Sequence, residues 1–291
     1  MATKNPNVHL PTLSALQVEE AVKAALLEDL GLAGDVTSDA TIPASAKAVA
    51  EMNCREDGIV AGLALAKSAF QQFDPKTKFK TYVKDGDRVQ PGQRIARVQG
   101  RARSVLGGER VALNYLCHLS GIASYTNQFA ERIAHTKAVV CCTRKTIPGL
   151  RAFEKYAVKC GGGSNHRYGL DDAILIKDNH IAVAGGVREA IEAARAFAGH
   201  LIKIEVEVDT LEQLKEALKA GPDVVMLDNM GPDQLREGVA IVDGTIPIEA
   251  SGNVNIDTIQ AIAESGVDMI STSKITMSAP TLDIGLDISI D

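Results

Sequence analysis

Tryptophan is absent from the 291 residues, aromatic residues make up only 4%, and positive charge is in deficit, with 31 lysines and arginines against 37 acids. The resulting net charge of −6 argues against a nucleic-acid partner, whose phosphates call for a basic surface. No apolar run approaches the roughly 18 residues that span a bilayer, and mean hydropathy is near zero, which excludes a membrane protein. A charged fraction of 23% beside 45% hydrophobic residues excludes extended disorder as well. The polar residues 1–6 offer no apolar stretch, so no signal peptide is read there. Five cysteines, Cys54, Cys117, Cys141, Cys142 and Cys160, include no C-x-x-C pair. They read as reduced, mostly buried thiols of a cytoplasmic protein, not as a disulfide framework or a zinc site.

What is present is a chain long enough for about two domains of ~150 residues, or for one large α/β barrel. Ser14 and Gln17 have capping-box spacing, and Val18, Ala21, Val22, Ala25 and Leu26 follow at helical period, which predicts a first amphipathic helix up to Gly31. Residues 47–105 carry short β-type runs (48–53, 58–61, 79–83 and 94–99) separated by turn signals and read as a small, largely antiparallel sheet domain. A helical region is predicted from Gly108 to about His135, broken near Ser120-Gly121. Beyond it, apolar β-branched runs at 138–143, 173–176, 201–208, 224–227, 246–250 and 269–271 alternate with helical stretches. That rhythm is the mark of βαβ units and a parallel sheet, and six strands fit an incomplete α/β barrel better than a doubly wound sheet. No G-x-G-x-x-G follows any strand, which weakens a dinucleotide-binding reading.

In parallel α/β architectures chemistry gathers at the carboxyl ends of the strands. All six ends are polar: Thr143-Arg144-Lys145, Lys177-Asp178-Asn179-His180, Glu205/Glu207/Asp209, Asp228-Asn229, Ser251-Gly252-Asn253 and Ser271-Thr272-Ser273-Lys274. The third strand is the most informative, because alternation sets Ile202, Ile204, Val206 and Val208 on one face and Lys203, Glu205, Glu207 and Asp209 on the other. Charges on an inner strand face are costly unless they pair or bind something. Lys203 can neutralise Glu205, whereas Glu207 with Asp228 on the next strand reads as a Mg²⁺ site, a metal that takes one or two carboxylates plus waters and substrate phosphates. Between 144 and 177 seven cations stand against three acids. Lys155 and Lys159 have the helical spacing of solvated residues, while Arg144, Lys145 and Lys177 stand at strand ends, where they cannot easily point at solvent. Arginines so placed bind carboxylate or phosphate bidentately, so the substrate is expected to be multiply anionic. Gly161-Gly162-Gly163 reads as a tight or mobile turn, and Ser251-Gly252-Asn253, with 271–274, as the cradle of a single phosphate.

The run 143–151 (TRKTIPGLR), followed by 161–170 (GGGSNHRYGL) and 175–180 (LIKDNH), resembles the quinolinate phosphoribosyltransferase family, the decarboxylating nicotinate-nucleotide pyrophosphorylases among the type II phosphoribosyltransferases. The likeness extends to 34–37, 109–114, 205–208, 226–229, 249–253 and 282–283, and so covers nearly the whole chain. It implies an N-terminal α/β sandwich at 1–118, with 276–291 returning to it, and an incomplete α/β barrel at 119–275 carrying the site. It implies transfer of phosphoribose from phosphoribosyl pyrophosphate (PRPP) to quinolinate with loss of carbon dioxide, a step of de novo NAD biosynthesis. It also implies a homodimer or hexamer in which Arg110 reaches the neighbouring site. On this likeness Arg110, Thr143, Arg144, His166, Arg167 and Lys177 hold quinolinate, and Lys145 stands near a Mg²⁺ held by Glu207 and Asp228. Ser251, Gly252, Asn253, Thr272, Ser273 and Lys274 would hold the 5′-phosphate. The chain departs from the family at Ser273-Lys274, where a glycine and a small or apolar residue are common. Two other readings stay open: a paralogous pyrophosphorylase for another anionic heterocycle, and a non-catalytic metabolite-binding barrel.

Overall fold

The structure, a computed structural model, describes residues 10–289. The polar start at 1–6 and the last two residues lie outside the described residues. In chain order the helices are α1 (Ala15–Leu30), α2 (Val36–Thr41), α3 (Leu63–Phe73), α4 (Ala102–Arg132), α5 (Arg151–Cys160), α6 (Asp178–Ala184), α7 (Val187–Phe197), α8 (Leu211–Ala220), α9 (Pro232–Val242), α10 (Ile259–Ala263) and α11 (Lys274–Met277). The strands are β1 (Lys47–Cys54), β2 (Gly58–Ile59), β3 (Lys78–Thr81), β4 (Arg88–Val89), β5 (Arg94–Arg101), β6 (Val139–Cys141), β7 (Ile174–Ile176), β8 (Ile204–Val208), β9 (Val224–Asp228), β10 (Ile248–Ser251), β11 (Met269–Ser271) and β12 (Ile284–Ser289).

The chain forms two compact units: residues up to 127 with 148–162 and those from 279 onward, and residues 128–147 with 163–278. In the first, an antiparallel sheet runs β12-β1-β5-β3, so the end of the chain returns to the N-terminal sheet and pairs along β1 from Val49↔Ser289 to Cys54↔Ile284. The predicted first helix forms, capped by Ser14, whose side chain accepts the Gln17 N–H, and it buries Val18, Val22 and Leu26. Helix α3 went unread in the 47–105 segment because its apolar stretch, Leu63 to Phe73, sits among β-type runs; its Leu65, Ala66, Ala69 and Phe70 are buried.

Helix α4 passes Ser120-Gly121 without the predicted break, and the two compact units part within it, at 127/128. Gly121 is a packing residue instead: a Cβ there would collide with the Pro280 carbonyl. Gly121→Ala is therefore expected to destabilise the protein by about 1–3 kcal/mol, as overpacking does, read as a lowered Tm. Gly161 likewise abuts the Ala123 carbonyl and Gly162 has φ 87°, so the triple glycine is a tight turn.

The second unit is a parallel sheet in the order β6-β11-β10-β9-β8-β7. All six expected strands form. β6 and β7 are not paired with each other, which leaves the barrel open, and Ser164 bridges onto Cys141 beside that gap. Local chemistry supports the helices between strands, as in α8, where Thr210 accepts the Gln213 N–H at 3.1 Å and the Gln213 side chain accepts the Thr210 N–H at 3.2 Å.

Candidate active site

Strand register sorts the barrel residues into two faces. Glu207 is level with Met226, Met226 with Glu249, Asp228 with Ser251, Glu249 with Met269, and Ser271 with Cys141. These share one face, with Glu205 two positions before Glu207. The alternate positions, Ile204, Val206, Val208, Val225, Leu227, Ile248, Ala250, Ile270 and Val140, are all apolar and buried. Gly238 of α9 approaches Leu227, so the apolar face lies under the helices and the polar face lines the barrel. The alternation read in the third strand thus holds around the sheet.

Partner choice differs from the sequence reading. Lys203 is exposed and pairs with Asp223 at 3.1 Å, while Glu205 bonds to His166 Nε2 at 2.8 Å. Lys203 sits before β8 begins and is out of reach of the interior. His166 Nδ1 accepts the Arg167 backbone N–H at 2.8 Å, so Nε2 carries the ring proton and donates it to Glu205. Both ring nitrogens are therefore engaged, and through Nδ1 the His166 ring braces the backbone of Arg167. The same tautomer bears on the cluster of His166, Glu205 and Glu249, whose ligand-type atoms lie within 4.8 Å of one another. In this arrangement the Nε2 proton lies between His166 and Glu205, with Glu249 Oε1 3.8 Å from the same nitrogen.

Glu249 is the residue that sequence reading missed. It is 2% exposed, on β10 between buried Ile248 and Ala250, and the same period-2 signal that marked Glu205 and Glu207 was available to find it. Burial first, then the like charge of Glu205, push its carboxyl from 4.5 up to about 7. A value raised in the folded state means that the native protein binds this proton more tightly, so stability falls as pH rises from 4.5 through 7. Glu249→Gln, which cannot ionise, is expected to be more stable than the parent by about 2 kcal/mol at pH 8 and to lose that advantage near pH 4. Denaturant unfolding across pH checks this.

Arg167 donates to the Ala173 carbonyl at 2.9 Å, and its Nε is buried without a protein partner. Burial first, and then the positive charge of nearby Arg144, hold its guanidinium below the ordinary arginine range. Arg144 and Lys145 are exposed at the end of β6, contrary to the expectation that strand-end cations cannot face solvent, because they lie past the last paired residue, Cys141. Thr143 is half-buried; its hydroxyl accepts the Lys145 N–H at 3.0 Å, and Thr276 donates to the Lys145 carbonyl at 2.8 Å, which pins that backbone. Lys177 forms an ion pair with Glu207, whose side chain is 9% exposed. Lys155, read as solvated, is fully buried: α5 buries most of its circumference, its helical spacing notwithstanding. Arg110 is exposed on α4, in the first unit.

At the later strands Ser251 and Gly252 are half-buried and Asn253 is exposed. Thr272 is buried, its N–H donating to the Cys141 carbonyl at 3.0 Å and its hydroxyl to the Val254 carbonyl at 3.1 Å. With its N–H and hydroxyl both bonded, it braces the turn. Ser273 is half-buried and Lys274 exposed, at the start of α11. For a divalent cation the donor set fits at Glu207 and Asp228: two hard carboxylates on one face of adjacent strands, with Glu207 already balanced by a single cation, Lys177.

A parallel α/β barrel whose strand ends set juxtaposed arginines beside buried acids defines a barrel protein for small polyanionic ligands. Family models for the quinolinate phosphoribosyl transferase N-terminal and C-terminal domains match residues 35–120 and 122–287. A protein of Bacillus subtilis (strain 168) named probable nicotinate-nucleotide pyrophosphorylase [carboxylating] is 42% identical over 96% of each chain. A mitochondrial quinolinate phosphoribosyltransferase [decarboxylating] of Nicotiana tabacum, 2b, is 41% identical over 99% of this chain and 88% of its own. Among solved structures, NadC from Streptococcus pyogenes superposes with a TM-score of 0.92 at 41% identity, covering 96% of this chain and 99% of that one. The chain belongs to the quinolinate phosphoribosyltransferase family. Among the described residues no helix is long and apolar enough to cross a membrane.

Proposed function

We propose that this protein transfers the phosphoribosyl group of PRPP to the ring nitrogen of quinolinate with decarboxylation, yielding nicotinate mononucleotide, pyrophosphate and carbon dioxide. The observation that carries the reading is the Arg144–Arg167 pair, two like charges held close, with the Arg167 Nε buried and unpartnered. Burial and the like charge of Arg144 outweigh the pull of Asp172 and Glu205 on Arg167, so an entering anion would relieve the pair. Quinolinate, with adjacent carboxylates on a pyridine ring, matches it, and the family membership supports the same substrate.

Arg144, Arg167 and Lys177 would orient the two carboxylates, with Arg110 of a second copy adding a further cation in a homodimer or hexamer; its exposure on α4 supports that role. An ammonium has three donors, so Lys177 can keep Glu207 while engaging the ligand. Glu207 and Asp228 would hold a Mg²⁺ ion, which when bound neutralises the charge developing on the departing pyrophosphate. Lys145, with its backbone pinned, adds positive charge on the same rim, and Ser251, Gly252, Asn253, Ser273 and Lys274 would take the 5′-phosphate. Attack of the ring nitrogen on C1 expels pyrophosphate and leaves that nitrogen positively charged. The neighbouring carboxylate then departs as carbon dioxide, its electron pair remaining at C2 beside the positive nitrogen until C2 is protonated. No protein nucleophile is needed, and burial first, with Glu249 adding to it, pushes the Cys141 thiol far up, so it stays protonated. The five cysteines are free thiols, which supports a reducing, cytoplasmic setting.

Purified protein given Mg²⁺, PRPP and carboxyl-labelled quinolinate should release labelled carbon dioxide and nicotinate mononucleotide. Absence of product, with nicotinate or another heterocycle accepted instead, would overturn the assignment.

A further inference from the structure

Two adjacent strand ends carry asparagines in the left-handed backbone region, Asn229 after β9 (φ 55°) and Asn253 after β10 (φ 54°). The other non-glycine residue of this kind among the described residues, Asp243, has an ordinary reason, since it caps the carboxyl end of α9. Asn229 and Asn253 cap no helix. In extended backbone, neighbouring side chains point to opposite faces and cannot meet. The left-handed turn at Asn229 reverses this, and its Nδ2 donates to Oδ2 of the preceding Asp228 at 2.6 Å. Asn253 Nδ2 donates in turn to Asn229 Oδ1 at 3.3 Å, which assigns the amide orientation: the oxygen faces Asn253, so the NH₂ faces the carboxylate. The Asn229 N–H is held by the Ser251 carbonyl at 2.9 Å, and a Cβ on Gly252 would collide with the Asn229 side chain. Strained backbone of this sort persists where its surroundings over-determine it, and it concentrates at functional sites.

We propose that Asn229, steadied by Asn253, is a positioning residue that sets the Asp228 carboxylate for a divalent cation; this rests on the reading of Glu207 and Asp228 as the Mg²⁺ pair. By occupying one carboxylate oxygen, the amide stops rotation of the group and presents the other oxygen along a fixed direction. Mg²⁺ demands near-octahedral geometry, so a freely rotating carboxylate would hold it less well. A turn with a purely structural role would need only the left-handed backbone, which glycine adopts without strain and aspartate tolerates.

The test compares the parent with Asn229→Gly, Asn229→Asp and Asp228→Asn, by calorimetric titration with Mg²⁺ in the presence of PRPP and without quinolinate, so that no turnover occurs. Thermal unfolding of the free proteins and the KM for quinolinate complete the set. Asn229→Gly is expected to weaken Mg²⁺ binding about tenfold, and Asn229→Asp by more, with quinolinate KM within about twofold of the parent. Asn229→Gly should unfold at the same temperature as the parent or higher, because it keeps the backbone and sheds the strain. If both Asn229 variants bind Mg²⁺ like the parent while Asp228→Asn does not, the positioning role is overturned and the metal pair stands. If Asp228→Asn also binds like the parent, both fall. A lowered Tm in Asn229→Gly, with Mg²⁺ and quinolinate affected alike, would mark a structural turn and overturn the proposal.

Discussion

Arg167→Ala is expected to lower kcat/KM for quinolinate by roughly 30-fold to several thousand-fold, the ~2–5 kcal/mol lost when one partner of a desolvated charge pair is removed. The loss should fall on quinolinate KM and leave PRPP KM nearly unchanged, because the buried Nε of Arg167 has no protein partner to lose. Stability of the free protein should move little. The bond to the Ala173 carbonyl and the attractions of Asp172 and Glu205 go, but so do the repulsion from Arg144 and the cost of burying the charge. Arg167→Lys should recover only part of the activity, since an ammonium lacks the planar fork that grips a carboxylate. Steady-state kinetics with each substrate varied, together with a melting curve, decide the matter; an unchanged quinolinate KM would remove Arg167 from the binding site.

Glu207→Gln should be as damaging, through the other substrate. The substitution keeps shape and can still accept from Lys177, so the fold is expected to survive; the freed charge on Lys177 is half-exposed and remains solvated. What is lost is one of two carboxylates for the cation. Turnover should fall about 10²- to 10³-fold, and the Mg²⁺ concentration for half-maximal rate should rise. Quinolinate binding, measured by calorimetry without PRPP, should be nearly retained. A variant with parental turnover would show that Glu207 only anchors Lys177.

Each of these outcomes depends on residues with different histories in the sequence. Glu207 and Asp228 were legible as a pair because alternation within a strand is a local property, and a charged residue between buried β-branched neighbours marks itself. Arg144, Arg167 and Lys177 were legible through the long TRKT, NHR and KDNH runs. Glu249 carried the same signal as Glu207 and went unread, since a single acid in a five-residue run is weaker evidence than two in eight. The continuity of α4 was hidden because glycine at 121 looks like a helix breaker in one dimension; only the Pro280 backbone lying against it shows why glycine is there.

By itself the sequence determined the two-part organisation, the six barrel strands, the polar lining and the family. These follow from period, composition and contiguous motifs, which are written into neighbouring residues. Only the tertiary structure decided who pairs with whom: Glu205 with His166 and not Lys203, Lys203 with Asp223, Lys177 with Glu207, and Thr272 turned inward. The physical reason is strand order. The sheet runs β6-β11-β10-β9-β8-β7, so residues remote in the chain become neighbours across the barrel, and buried charges settle on whichever partner that order brings within hydrogen-bond reach.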